Sequence, residues 1–190
     1  MWISVNVSNA LTIYSEVDNN QIHMENVTAL VLKAGTASVG TTFIGNSRVE
    51  LNGVSVLTTA TLNGASGDNH FDIRGTFGNL IVNGGTGNDT VRIHDSSVVG
   101  LLAVTESSLS TEQDVVSLSY VNVLGYASVT TGRGSDSVSF DHVSVGNYLT
   151  IKTDEGMDHF TLTNTAADYV FWDLGAGTDY LLWDGFRTIV

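Results

Sequence analysis

One turn sequence recurs along this chain and restricts what it can fold into. Its clearest copy is Gly84-Gly85-Thr86-Gly87-Asn88-Asp89-Thr90-Val91-Arg92-Ile93, a glycine turn and an aspartate followed by apolar residues at alternate positions. Gly132–Phe140, Asp154–Leu162 and Gly175–Trp183 repeat it, and Gly64–Ile73, Glu112–Leu118, Gly45–Leu51 and Asn19–Met24 are more divergent copies. The anchor positions are Asn20, Ser47, Asn69, Asp89, Asp114, Asp136, Asp158 and Asp179, separated by 27, 22, 20, 25, 22, 22 and 21 residues. A period of this length marks an array in which each repeat buries its apolar face against its neighbours.

Every anchor is followed by apolar residues two and four positions on, such as Phe71/Ile73, Val91/Ile93, Val116/Leu118 and Val138/Phe140. That is the period of a strand with one buried face. Further alternating pairs follow within each repeat, first Val54/Val56, Val121/Val123 and Val143/Val145, then Leu102/Val104, Ala127/Val129 and Leu149/Ile151. Val, Ile, Thr and Ser dominate these runs, and no stretch sustains a helical period. The expected fold is all-β: a right-handed parallel β-helix, a solenoid of about eight coils of ~22 residues with three short strands per coil. The handedness follows the strand-crossover rule. An antiparallel sandwich is the competing architecture, but its strands have no reason to repeat one motif in one register. Residues 1–190 are expected to form a single β-helix domain, or a segment of a longer solenoid.

Composition fits this reading. The chain has 20 glycines and no proline. Proline lacks the N–H donor and would delete a coil-to-coil hydrogen bond at almost any position. The absence of cysteine excludes disulfides, thiol nucleophiles and Cys-ligated metals. Twenty acids against seven bases give a net charge of −13, which argues against nucleic acid and anionic membranes as partners. No apolar run reaches the ~18 residues of a membrane-spanning helix. Residues 2–18 also lack the basic and apolar regions of a signal peptide.

Gly84–Arg92 resembles the RTX nonapeptide of secreted bacterial proteins, whose Gly-Gly-x-Gly-x-Asp turns bind calcium. The resemblance covers the turn, which comes here once per ~22 residues and not every nine. The longer coil is similar to β-helix repeats of bacterial adhesin-like and other extracellular proteins. These resemblances imply a secreted or cell-surface bacterial protein, with Ca2+ held by Asp89, Asp114, Asp136, Asp154, Asp158 and Asp179. Electrostatics raises the same question: stacked carboxylates about 5 Å apart repel, and a hard cation among oxygen ligands would relieve them. The alternative is that each aspartate accepts backbone N–H bonds within its turn. Asn20, Ser47 and Asn69 occupy the same position and suit that alternative better, being good turn-makers and poor calcium ligands.

No nucleophile elbow, His-Glu-x-x-His motif or phosphate-binding loop occurs. One outward patch combines Arg48, Glu50, His70, Asp72, Arg74, Arg92 and His94 on the first strands of three consecutive repeats. It resembles, in composition, the exposed sheet face on which β-helix polysaccharide lyases and hydrolases place Asp, Arg and His. Arg48, His70, Asp72, Arg74, Arg92 and His94 are therefore the candidate glycan-binding residues. The alternative is cross-strand ion pairing, Glu50 with Arg74 and Asp72 with Arg92. Short coils leave no long loops to wall a substrate groove, and the threonines do not align in the register an ice-binding array needs. The expected function is thus a non-catalytic structural or adhesive segment, with a polysaccharide-binding or polysaccharide-cleaving β-helix as the alternative. No amphipathic capping helix is evident at either end, so self-association through solenoid ends is a further expectation.

Overall fold

A computed structural model describes residues 2–3, 6–14, 21–35, 45–107, 112–185 and 187–188. The Asn20 anchor lies outside the described residues. Strands pair in parallel and stack as a β-solenoid of about six turns, somewhat fewer than the eight expected. Among the described residues there is no helix.

Each turn has three sides. On the first, Val49, Phe71, Val91, Val116, Val138 and Phe160 are successive partners, so the ladder expected from the anchor spacing is the one that forms. The second is short and carries Val54–Val56, Val121–Val123 and Val143–Val145. The third stacks Leu62, Val82, Val104, Val129 and Ile151. The inward residues of all three sides form one core in which Phe71, Phe77, Phe140 and Phe160 are fully buried. Phe140 and Phe160 meet edge to face with centroids 6.2 Å apart. Some turns run as one extended strand, Arg48–Ser66 and Ser137–Lys152 for example, because register shifts take up the corners.

The corners explain the composition. At the first, one residue takes the left-handed conformation in most turns, Asn26, Gly53, Asp95, Tyr120, His142, Asn164 and Gly185, while the His70–Thr86 turn passes it without one. Asn, Asp and Gly tolerate that region best. A Cβ on Gly53 would lie 2.9 Å from the Asn26 side chain of the preceding turn. The corners are also tied coil to coil through backbone, as in Val99 N–H to Phe77 O at 2.9 Å and Leu124 N–H to Val98 O at 2.9 Å. A proline would break the ladder even there. The long spacing of 25 residues leaves the registered strands in place, with Thr105 still beside Asn83 and Val115 still beside Thr90.

Phe140 is the most direct test of the stacked core. Phe140→Ala should cost about 3–5 kcal/mol in urea denaturation, whereas the outward-facing Ser139→Ala should stay within about 0.5 kcal/mol.

Candidate functional site

The anchor residues form a continuous hydrogen-bonded column. Each carboxylate reaches back one coil and accepts from the backbone N–H of the preceding anchor. Asp89 Oδ1 accepts from Asn69 N–H at 2.7 Å, Asp114 from Asp89 at 2.8 Å, Asp136 from Asp114 at 2.9 Å, Asp158 from Asp136 at 2.9 Å and Asp179 from Asp158 at 3.1 Å. Asn69 does the same for Ser47 at 3.2 Å. Backbone bonds run beside them, as from Val115 N–H to Asp89 O at 2.9 Å and from Ser137 N–H to Asp114 O at 2.8 Å.

A second column, one residue earlier, runs the other way. Asn46, Asp68 and Asn88 reach forward and accept from the N–H groups of Asp68, Asn88 and Gln113 at 2.8, 2.9 and 2.8 Å. The anchor motif did not reveal this column. Its signal was the Asn or Asp immediately before four of the anchors, Asn20, Ser47, Asn69 and Asp89.

The second oxygen of the anchors is the unusual atom. Oδ2 of Asp89, Asp114, Asp136 and Asp158 is buried and makes no well-formed hydrogen bond, nor do the carboxyl oxygens of Glu106; the Thr131 and Thr153 hydroxyls lie near Asp136 and Asp158, and the Gly84 N–H near Glu106. Asn69 shows what this position faces. Its Nδ2 donates to Gly67 O at 2.7 Å, to Gly84 O at 3.1 Å and to Asp89 Oδ1 at 3.0 Å. Where the repeat substitutes Asp for Asn, an oxygen takes the place of that donor.

Burial accordingly pushes the Asp114 carboxyl up to about 7 and those of Asp89 and Asp136 to about 6, and it raises Asp158 as well. Accepted N–H bonds pull down and neighbouring carboxylates push further up. Burial drives Glu106 to about 9, and the charges of Asp89 and Asp114 add to it.

Glu106 and Glu112 were not among the residues singled out from sequence. Glu106 occupies the inward position held by Gly84 one turn earlier. A Cβ on Gly84 would run into the Glu106 carboxyl and lie 2.6 Å from Asp89 Oδ2, so the glycine makes room for the acid. Glu112 accepts from Gly87 N–H at 2.8 Å and from the Ser107 hydroxyl. The sequence signal for Glu106 was an acid on an otherwise apolar or small inward column.

Of the other candidate calcium ligands, Asp179 closes the column and is half-buried, while Asp154 is exposed and outside it, with a left-handed φ of 63°. Among the described residues no three His, Asp or Glu side chains converge as a metal ion would need.

The charged patch on the first side is brought together as expected, but its pairing is different. Glu50 and Asp72 are direct partners on adjacent coils, so each turns toward a base on its far side. Glu50 binds Arg48 and, one coil back, His23 Nδ1 at 2.7 Å. Asp72 pairs with His94 Nε2 at 3.0 Å, one coil forward. Arg74 approaches Asp95 at 3.9 Å. The expected Glu50–Arg74 and Asp72–Arg92 pairs are thus replaced.

Hydrogen bonds from Arg48 and His23 hold the Glu50 carboxyl below its usual range. Burial, with Arg48 and Arg92 nearby, lowers His70. A concavity of about 270 Å3 is lined by His23, Glu50, Asp72, Arg74 and His94. A second, of about 360 Å3, shares Arg74 and adds Asp95 and Tyr120 at the corner. Arg48, His70 and Arg92 lie outside both linings.

No protein-family model, curated protein or solved structure matches this chain.

The column gives stability a distinctive pH dependence. An acid whose folded pKa is raised binds its proton more tightly in the folded state, so its contribution is complete below the unfolded value of about 4 and is lost as pH rises through the folded value. Thermal midpoints should therefore fall as pH rises from about 4 to about 7, with a further decline toward about 9 from Glu106. Asp114→Asn keeps the Oδ1 acceptor and supplies the donor that Asn69 uses. It should raise the midpoint at pH about 8 and flatten the profile; an unchanged profile would contradict a protonated Asp114.

Proposed function

We propose that this chain is a non-catalytic structural or adhesive β-solenoid segment of a secreted or surface bacterial protein. The supporting observation is where its carboxylates go. Those of the anchor column are buried and bonded to the backbone of the neighbouring coil, so they serve coil stacking and are out of reach of a substrate. The acids of the exposed patch are engaged by neighbouring Arg and His side chains. A panel of neutral and acidic polysaccharides assayed for new reducing ends should show no turnover. Cleavage abolished by Arg74→Ala would replace this reading with the glycan-active one, which the concavity around Arg74 favours.

Calcium is a second reading, favoured by the row of buried Oδ2 atoms without a well-formed hydrogen bond. Asp89, Asp114, Asp136 and Asp158 would hold the ions, with Asp154 and Asp179 at the last turn, and the metal would neutralise charge there. On the primary reading, the thermal midpoint at neutral pH is the same in millimolar calcium and in EDTA. A calcium-dependent rise that is lost in Asp136→Asn would establish the second.

A further inference from the structure

The chain carries a net charge of −13, yet one long face is almost free of acids. The outward positions of the third side run from Thr59 to Asp173 over six stacked passages. Among the described residues the only acid at these outward positions is Asp173, next to its register partner Lys152. Lys152 lies over the Phe171 ring, 5.9 Å from its centroid.

One row in the C-terminal half of this face is apolar, with Ser128, Thr130 and Thr150 outward beside it. Leu101, Tyr126, Tyr148 and Tyr169 form one outward row. Val99 and Leu124, which follow the register partners Val98 and Val123, continue the strip around the adjoining corner, where Gly146 and the half-buried Asp168 hold the next two positions of the same column. These residues are not grazing the surface: Tyr169 is 60% exposed, Val99 62% and Leu124 56%. With Phe171, seven large side chains expose roughly 600 Å2 in one strip, at the upper end of what a monomer normally shows.

Stacking within the chain does not account for the strip. Tyr126 and Tyr148 stack at 6.1 Å and Tyr148 and Tyr169 at 4.8 Å, which supports the ladder. Tyr120 and His142 stack as closely, at 4.7 Å, beside Asp95 and Asp141 and without apolar neighbours of this kind. Stacking covers ring faces, so ring edges and hydroxyls point outward. That geometry disfavours a sugar lying flat on the rings and suits interdigitation with another row of edges.

We propose that two copies of this chain pair reversibly through this strip, face against face about a two-fold axis. A second copy is the partner whose rows share the ~4.8 Å coil spacing, so the ring edges of the two rows meet at matched intervals along the strip. It is also the approach by which two strongly acidic rods meet without setting acids against acids. The composition is that of an interface centre, rich in aromatics and poor in charge, with Lys152 and Asp173 at the rim. Two strips bury about 1,200 Å2, the lower end of stable interfaces. The expected complex is therefore weak and in concentration-dependent exchange. It stands independently of the structural or adhesive role proposed above.

Sedimentation velocity from about 1 to about 500 μM protein tests this. The dimer fraction should rise with concentration. It should also rise with salt, because screening weakens the repulsion between the copies while the contact itself is apolar. Tyr148→Asp should weaken dimerisation at least tenfold, and Leu124→Ser, at a corner side chain with little packing to lose, should weaken it with an unchanged melting midpoint. Tyr180→Ser, on the first side, should leave it intact. A wild-type monomer at the highest concentration overturns the proposal. So does association that survives both strip variants, or that is lost in Trp183→Ser alone, which would place the contact at the end of the stack. A monomer whose strip instead binds a soluble neutral glycan also overturns it.

Discussion

Everything in this molecule depends on the parallel coil-to-coil hydrogen bond. Once successive turns are joined at one strand spacing, each residue lies over its equivalent in the turns before and after. Like is therefore stacked on like. For apolar residues this is favourable without further arrangement: Val91, Val116 and Val138 form a column that excludes water on both sides. For charged residues the same geometry is adverse, because neighbours of one sign are held about 5 Å apart. The fold must then alter either the charge or the neighbour.

Both solutions are present. On the first side a base is set beyond each acid: Glu50 and Asp72 face one another, and each is drawn to a base one coil away on its other side, His23 or His94. At the third corner the neighbours are the same, and the charge is altered. Asp89, Asp114 and Asp136 each accept the N–H of the previous anchor, and burial raises their pKa toward neutrality. Glycine makes this corner possible. A Cβ on Gly156 would run into the Gly134 carbonyl, and one on Gly177 into that of Gly156. The coils approach there more closely than side chains allow.

Much of the architecture was legible because it depends on periodicity. Anchor spacings of 22, 20, 25, 22, 22 and 21 between Ser47 and Asp179 are the offsets at which the anchor hydrogen bonds form. The period-two pairs beside them are the buried ladders. Less of the site was legible. Tyr120 and His142 turn the first corner in the left-handed conformation, and neither residue type signals a turn. Glu106 looks like an ordinary surface acid until the register places it over Gly84. The ion pairs around Asp72 depend on which way a side chain leans across the sheet, and spacing does not encode that. The apolar strip was missed for a related reason: its members are far apart in sequence and share a face only once the turns are stacked.

Asparagine would build the anchor column without difficulty. Asn69 shows this: its Oδ1 accepts from the preceding turn, and its Nδ2 finds three acceptors. An ionised aspartate in the same place has the first half of that bonding and lacks the second, leaving a buried oxygen in place of the donor. A protonated aspartate has both halves, because its hydroxyl takes the place of the amide N–H. The column from Asp89 to Asp158 is therefore complete in its own hydrogen bonds when the acids hold their protons. When they do not, something positive must compensate. Replacing asparagine by aspartate in four consecutive turns gives up a condition-independent bond for one that depends on pH or on a cation. Neither the parallel ladder nor the apolar core requires that exchange, so its explanation lies in the conditions under which the solenoid assembles or works.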